Sequence, residues 1–145
     1  MIPDPILIAA PVLNGTVPME AGSHLPLWIQ DVGPQTSKRS ASGTVMGLSG
    51  KFTLSISHSV SKENAPVQTD RTLVRLDYLP GTPDAQGLTP VSSVYFVLAQ
   101  ARGNVTTAEM VALFQSLLGT LIYPDPTATD TANDGILTRI LNGEP

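Results

Sequence analysis

The sequence contains no cysteine, which removes disulfide staples, thiolate-bound zinc and thiol catalysis together. Charge is scarce as well. Lys, Arg, Asp and Glu make up 14% of the chain, where a freely solvated surface usually carries about 25–35%. A surface so poor in charge predicts extensive contact with other protein. No apolar run approaches the ~18 residues of a membrane span, and no basic segment with an apolar core opens the chain, so neither a span nor a signal peptide is expected. HExxH, Walker-type phosphate loops and nucleophile elbows are all missing. The two histidines, His24 and His58, stand far apart, and the aspartates are scattered singly. No catalytic pair and no metal cluster is expected, and with them no enzyme, no cofactor and no small-molecule substrate.

What remains is a chain of 145 residues with 13 prolines and 12 glycines. That length reads as one domain, able to bury roughly 68–70% of its unfolded surface. The net charge of −4 opposes nucleic-acid binding only at first sight, because the electrostatic footprint depends on where the charges lie. Asp125, Asp130, Asp134 and Glu144 crowd one end, and Asp4 and Glu20 lie near the other. The middle holds Lys38, Arg39, Lys51, Lys62, Arg71 and Arg75.

The most informative stretch runs from Val91 to Ile122. In VSSVYFVLAQA, Val94, Phe96 and Leu98 fall on one face of a strand, and Ser93, Tyr95 and Val97 on the other. After a short break, Met110, Leu113, Phe114, Leu117, Leu118 and Leu121 repeat at helical spacing. Thr106, three residues before Glu109, is a capping-box start for a helix over about 106–122. This helix carries an apolar stripe that has to be buried. Following its strand so closely, it docks awkwardly on its own sheet, whereas a partner subunit related by a two-fold axis would accept it.

Upstream, two short strands at about 6–13 and 16–20 read as an edge hairpin around Asn14-Gly15. Leu25 to Val32 reads as a third strand, with Trp28 as a core anchor. Residues 33–50 read either as a loop or as a weak strand. KFTLSISHSV (51–60) and residues 70–79 alternate cleanly: Phe52, Leu54, Ile56, Val74, Leu76 and Tyr78 share one parity, and Lys51, Thr53, Ser55, Ser57, Arg71, Leu73 and Arg75 the other. Residues 61–68 read as a polar connection. The segment 79–90 is a long turn-rich loop containing Pro80, Gly81, Pro83, Gly87 and Pro90. A short second helix is expected over about 131–142, ended by Asn142-Gly143. His58 falls near the end of its strand on the apolar parity, as a hydrogen-bonded structural histidine. The pattern is α+β: an N-terminal β-hairpin and an antiparallel sheet over about 25–101, then two C-terminal α-helices.

The odd-numbered face collects Lys51, Thr53, Ser55, Ser57, Arg71, Leu73, Arg75, Ser93 and Tyr95. It reads in two ways: as an ordinary solvated sheet face, or as a nucleic-acid platform. In the second, cations meet phosphate, hydroxyls bond base edges and a ring stacks.

Taken together, the order, spacing and facing of these elements resemble the coat protein of the single-stranded RNA bacteriophages, the levivirus type. The resemblance spans the N-terminal hairpin to the C-terminal helix. It is carried by Trp28-Ile29, the run Lys51-Phe52-Thr53-Leu54-Ser55-Ile56, the strand Val74-Arg75-Leu76-Asp77 and the helix ending Gln115-Ser116-Leu117-Leu118-Gly119. It implies an intertwined homodimer whose two sheets form one continuous floor. The helices, with Met110, Leu113, Phe114, Leu117 and Leu121, would lie over the partner's sheet. Dimers would assemble into an icosahedral virion or virus-like particle in the cytoplasm of a bacterial host, with the loop 79–90 making contacts between dimers.

The same resemblance implies that the floor packages single-stranded viral RNA and represses translation by gripping an RNA hairpin. An unpaired adenine would sit among Thr53, Ser55, Arg75 and Leu25, with phosphates on Lys51 and Arg71. Val91 stands where the best-known members have a base-stacking tyrosine. Tyr95 lies further along the strand, and Ser93 stands for an amide contact. Two other readings of the sequence are a free-standing, sheet-based RNA-binding regulator that forms no shell and a dimeric surface or adhesion module without RNA.

Overall fold

A computed structural model of the chain describes residues 6–9, 24–45, 47–64, 67–122, 137 and 140–143. Its elements are β1 (Ile6–Ala9), β2 (His24–Val32), β3 (Thr36–Val45), β4 (Leu48–Asn64), β5 (Val67–Pro80), β6 (Ser92–Ala101) and α1 (Thr107–Ile122). The strands form one antiparallel sheet in sequence order, β1 to β6. The sheet belongs to one compact unit and α1 to another.

The sheet is a meander in which every strand lies beside its sequence neighbour. β3 and β4 are joined across residues 46–47, with Val45 opposite Leu48. Gly47 supplies the positive φ, 78°, that so tight a hairpin demands. The stretch 33–50, readable as loop or weak strand, is thus a full strand, a turn and the start of β4. Residues 61–68 are not a connection, because β4 continues to Asn64 and β5 begins at Val67. Polar side chains hid both extensions. A strand held by its backbone ladder needs no apolar alternation where neither face is covered.

Pairing fixes the faces. Opposite residues across an antiparallel pair project to the same side. One row runs Ala41–Phe52–Tyr78–Ser92 and the next Arg39–Leu54–Leu76–Val94. On this side Leu27, Val45 and Phe52 form the core, with Leu25, Ala41, Leu54, Leu76 and Tyr78 packed against it. The Phe52 and Tyr78 rings lie 5.1 Å apart, and the Tyr78 hydroxyl donates to the Ser49 carbonyl at 3.0 Å. The apolar parity expected for β4 and β5 is therefore the core side. It thins towards the margin, where Val94 is 74% exposed on the outermost strand. Among the described residues Leu27, Val45 and Phe52 are the only buried apolar side chains.

Trp28 is not a core anchor. Its neighbour Leu27 points into the core, so Trp28 points out of the opposite face and is 51% exposed. His58 is exposed, with Nδ1 and Thr72 Oγ1 3.0 Å apart on the same face.

α1 starts as its capping box predicts. The Thr106 backbone N–H and hydroxyl donate to Glu109 Oε2 at 2.7 and 2.8 Å, and the Glu109 N–H donates to Thr106 Oγ1 at 3.3 Å. Those donors hold the Glu109 carboxyl below its usual value, the Thr106 backbone N–H first. Along the stripe, Met110, Phe114 and Leu121 are half-buried, Leu113 is 64% exposed and Leu117 is exposed. Strand 16–20 of the expected hairpin, and most of the expected helix 131–142, lie outside the described residues. Among the latter, Leu137, Ile140 and Leu141 are helical and the chain turns at Asn142-Gly143. Among the described residues no helix is long and apolar enough to cross a membrane, and no group of three His, Cys, Asp or Glu is placed to hold a metal.

Candidate nucleic-acid interface

The face opposite the core is built from the other parity of the same strands. One row runs Trp28–Ser40–Thr53–Asp77–Ser93 and the next Lys38–Ser55–Arg75–Tyr95. Flanking rows are Ser42–Lys51–Leu79 and Thr36–Ser57–Leu73–Val97, and Arg71 lies opposite Ser59 and Ala99 further along. The structure thus brings Lys51, Thr53, Ser55, Ser57, Arg71, Leu73, Arg75, Ser93 and Tyr95 onto one surface, as their alternation predicts.

Leu25 does not join them. It packs against the Leu27, Val45 and Phe52 core on the other side, where an added Cβ at Gly43 would press on its Cδ1. A strand shows alternate residues to alternate faces, so Leu25 shares the parity of Leu27 and not that of Trp28.

β3 contributes most of what sequence reasoning missed. Its even positions, Thr36, Lys38, Ser40 and Ser42, add hydroxyls and a cation to the surface, while Arg39 points the other way and is buried. A signal was there: TSKRSASGTV alternates hydroxyl or lysine against a mixed parity. That parity holds Ser37 and Arg39 beside Ala41, Gly43 and Val45, so no run of large apolar residues marks it as a strand.

At the middle of the face lies a depression of about 240 Å³ lined by Lys38, Lys51, Thr53, Ser55, Asp77, Leu79 and Val91. Thr53, Ser55 and Val91, singled out separately in the sequence, meet there. Two lysines at its walls offer positive charge, the hydroxyls offer donors and acceptors, and Leu79 and Val91 offer an apolar surface. Such a set suits a flat polar ring attached to an anion.

Asp77 organises the adjoining row. Its carboxylate accepts from Arg75 Nε at 2.6 Å and from the Ser93 hydroxyl, and Arg75 Nη2 donates to Ser93 Oγ at 3.1 Å. The Ser93 hydroxyl foremost holds the Asp77 carboxyl below its ordinary value of 3.8; burial, next in size, pushes it up, and the Arg75 guanidinium and Lys38 add to the lowering. Arg75 is therefore held in place and partly neutralised, and an incoming phosphate has to compete with Asp77 for it. The sequence pattern placed Arg75 on this face but did not show the ion pair two residues along its own strand.

The loop between β5 and β6 is exposed from Gly81 to Val91. Its tip closes on itself. Asp84 Oδ1 accepts from the N–H groups of Gln86 and Leu88 at 2.9 and 2.8 Å, and Gly87 takes φ 77°. Of the residues expected in contacts between dimers, Gly81, Pro83, Gly87 and Pro90 lie on this loop, and Pro80 is the last residue of β5.

No protein-family model matches the sequence, and no curated protein matches it. Solved structures do match by fold. The chain superimposes on the bacteriophage EMS014 coat protein with a TM-score of 0.60 at 14% identity, covering 99% of this chain and 97% of that one. It matches a virus-like particle of bacteriophage GQ-112 at a TM-score of 0.57 and 14% identity, over 95% and 92% of the two chains. A virus-like particle of bacteriophage EMS014 matches at 0.51 and 15%, over 84% and 90%. The chain has the coat-protein fold.

Proposed function

We propose that this chain, having the coat-protein fold, is a non-enzymatic structural subunit of a phage shell. Dimers of it assemble into closed icosahedral particles and package single-stranded RNA on the face that carries Lys38, Lys51, Thr53, Ser55, Arg71 and Arg75. The observation that carries this reading is the end-to-end coverage between this chain and a phage coat protein. The small core supports it too. Among the described residues three apolar side chains are buried, while Leu113 and Leu117 of the α1 stripe are exposed, so that burying this surface on further copies adds stability.

In this reading the stripe of Met110, Leu113, Phe114, Leu117 and Leu121 meets the partner of an intertwined dimer, and the two sheets join into one floor. The segment 79–90, with Pro80, Gly81, Pro83, Gly87 and Pro90, makes contacts between dimers in the shell. RNA lies on the floor through weak, salt-sensitive phosphate contacts summed over many subunits, and a hairpin of the viral RNA bound there represses translation. The proper place of the protein is then the virion, assembled in the cytoplasm of a bacterial host.

Expression of the full chain in bacteria, followed by negative-stain microscopy and nuclease treatment, tests this. Closed particles holding nuclease-protected RNA are the expected result. Soluble dimers that form no particles at high concentration would overturn the shell, and particles empty of RNA would overturn the packaging role.

A further inference from the structure

Trp28 is the only tryptophan in the chain, and it is 51% exposed on the polar face of the sheet. It stands opposite Ser40, which stands opposite Thr53, one of the residues lining the central depression. Two strand spacings, ~10 Å, separate the indole from Thr53. Lys38 lies two residues from Ser40 on the same side of β3 and also lines the depression.

A half-exposed aromatic residue is unremarkable by itself, since much of any protein surface is apolar. The setting distinguishes this one. The other exposed apolar residues of β2, Ile29 and Val32, stand opposite Arg39 and Ser37, on the core parity. Ile29 and Val32 therefore add no apolar surface on the side where the indole stands. On its own side stand Ser40 and Lys38 across β3, and Pro26 and Asp31 along β2. A large flat π surface beside hydroxyls and cations is the pattern that holds a base of a single strand: the ring stacks, and nearby cations take the phosphates.

We infer that Trp28 is a stacking platform for an unpaired RNA base, a second subsite beside the depression formed by Lys38, Lys51, Thr53 and Ser55. This rests on the RNA-packaging reading and adds a contact to it. One continuous single strand places a base on the indole and a neighbouring nucleotide over the depression. With Tyr95 at the opposite margin of the sheet, the face is bracketed by one ring on β2 and one on β6. A duplex, whose bases are already stacked on each other, has no base to offer Trp28.

Because the chain has a single tryptophan, its emission reports this site alone. The experiment dissociates any particles, frees the full-length subunits of RNA and titrates them with labelled single-stranded oligoadenylate, following label anisotropy for binding and tryptophan emission for the indole, with an RNA duplex as comparison. Saturable quenching by the single strand, and little by the duplex, is expected. Trp28→Leu should weaken single-strand binding roughly tenfold, within the range of stacking contributions, while Trp28→Phe retains most of it. Circular dichroism checks that both variants keep the sheet.

Anisotropy that rises while emission stays constant, or a Trp28→Leu variant that binds as the parent does, overturns the inference and leaves packaging intact. Blue-shifted emission indifferent to RNA overturns it in favour of a protein copy covering the indole. An absence of binding in the anisotropy of the parent chain removes the packaging reading itself.

Discussion

The two faces of the sheet are made by the same strands and separated only by residue parity, yet they obey different constraints. On one, Leu27, Val45 and Phe52 are buried among Leu25, Leu54, Leu76 and Tyr78. On the other, no side chain of the rows through Thr53 and Ser55 is buried, and hydroxyls, Lys38, Lys51, Arg75 and Trp28 look outward. Removing atoms from the first leaves a cavity in close-packed surroundings. Removing them from the second leaves water. The first face thus holds the fold, and the second is free to be shaped by whatever it binds.

The contrast is broken most forcefully at two adjacent residues. Phe52→Ala should cost about 3–5 kcal/mol of stability, and Thr53→Ala no more than about 0.5 kcal/mol, read from urea denaturation midpoints. Similar losses for both would mean that the polar face is packed after all. The next effect is on RNA. Arg75→Ala should weaken single-strand binding several-fold and lower the dependence on salt by about one ion. Arg102→Ala removes the same charge and a like ion pair, with Asp70 at 2.7 Å, but Arg102 lies past the end of β6, beside the other parity of β5, and should change binding little. Equal losses would reduce the face to an unspecific positive charge.

The smallest effect sharpens the electrostatics of the polar side. The folded Asp77 carboxyl lies below 3.8, held there by Ser93 and then Arg75. Its stabilisation is complete above that ordinary value and is lost as pH falls through the lowered one. The melting temperature of the parent should therefore drop as acid is added below about pH 4. Asp77→Asn should drop less steeply, keeping a residual slope from Asp70 and Glu109, whose carboxyls are also held down. Identical acid slopes would show that the Asp77 ion pair does not contribute in solution.

The parts most legible in the sequence are those whose signal is local. The capping box at Thr106 and Glu109 and the helical repeat after it needed no knowledge of neighbours, and α1 follows them. The alternation of β4 and β5 was equally direct, because their core-side residues are large and apolar while their outward residues are hydroxylated or charged. β3 was obscure for the opposite reason. Its core-facing parity is Ser37, Arg39, Ala41, Gly43 and Val45, small or charged for most of its length, and only its place between β2 and β4 makes it a strand. Trp28 was misread because size and apolarity argue for burial whichever way a residue faces, and Leu25, assigned by resemblance alone, sits on the core side because its parity is that of Leu27.

Sequence alone determined that β6 is a strand and α1 a helix, the parity of β4 and β5, and the gathering of Lys51, Thr53, Ser55 and Arg75 on one side, since a period of two is a property of the extended backbone itself. Tertiary structure alone decided which side each outer strand shows, how Asp77 restrains Arg75 and that Trp28 stands in solvent beside the hydroxyl rows. Those outcomes depend on register between strands distant in the chain, and register is set by backbone pairing and by the packing of Leu27 against Phe52, which no local pattern encodes.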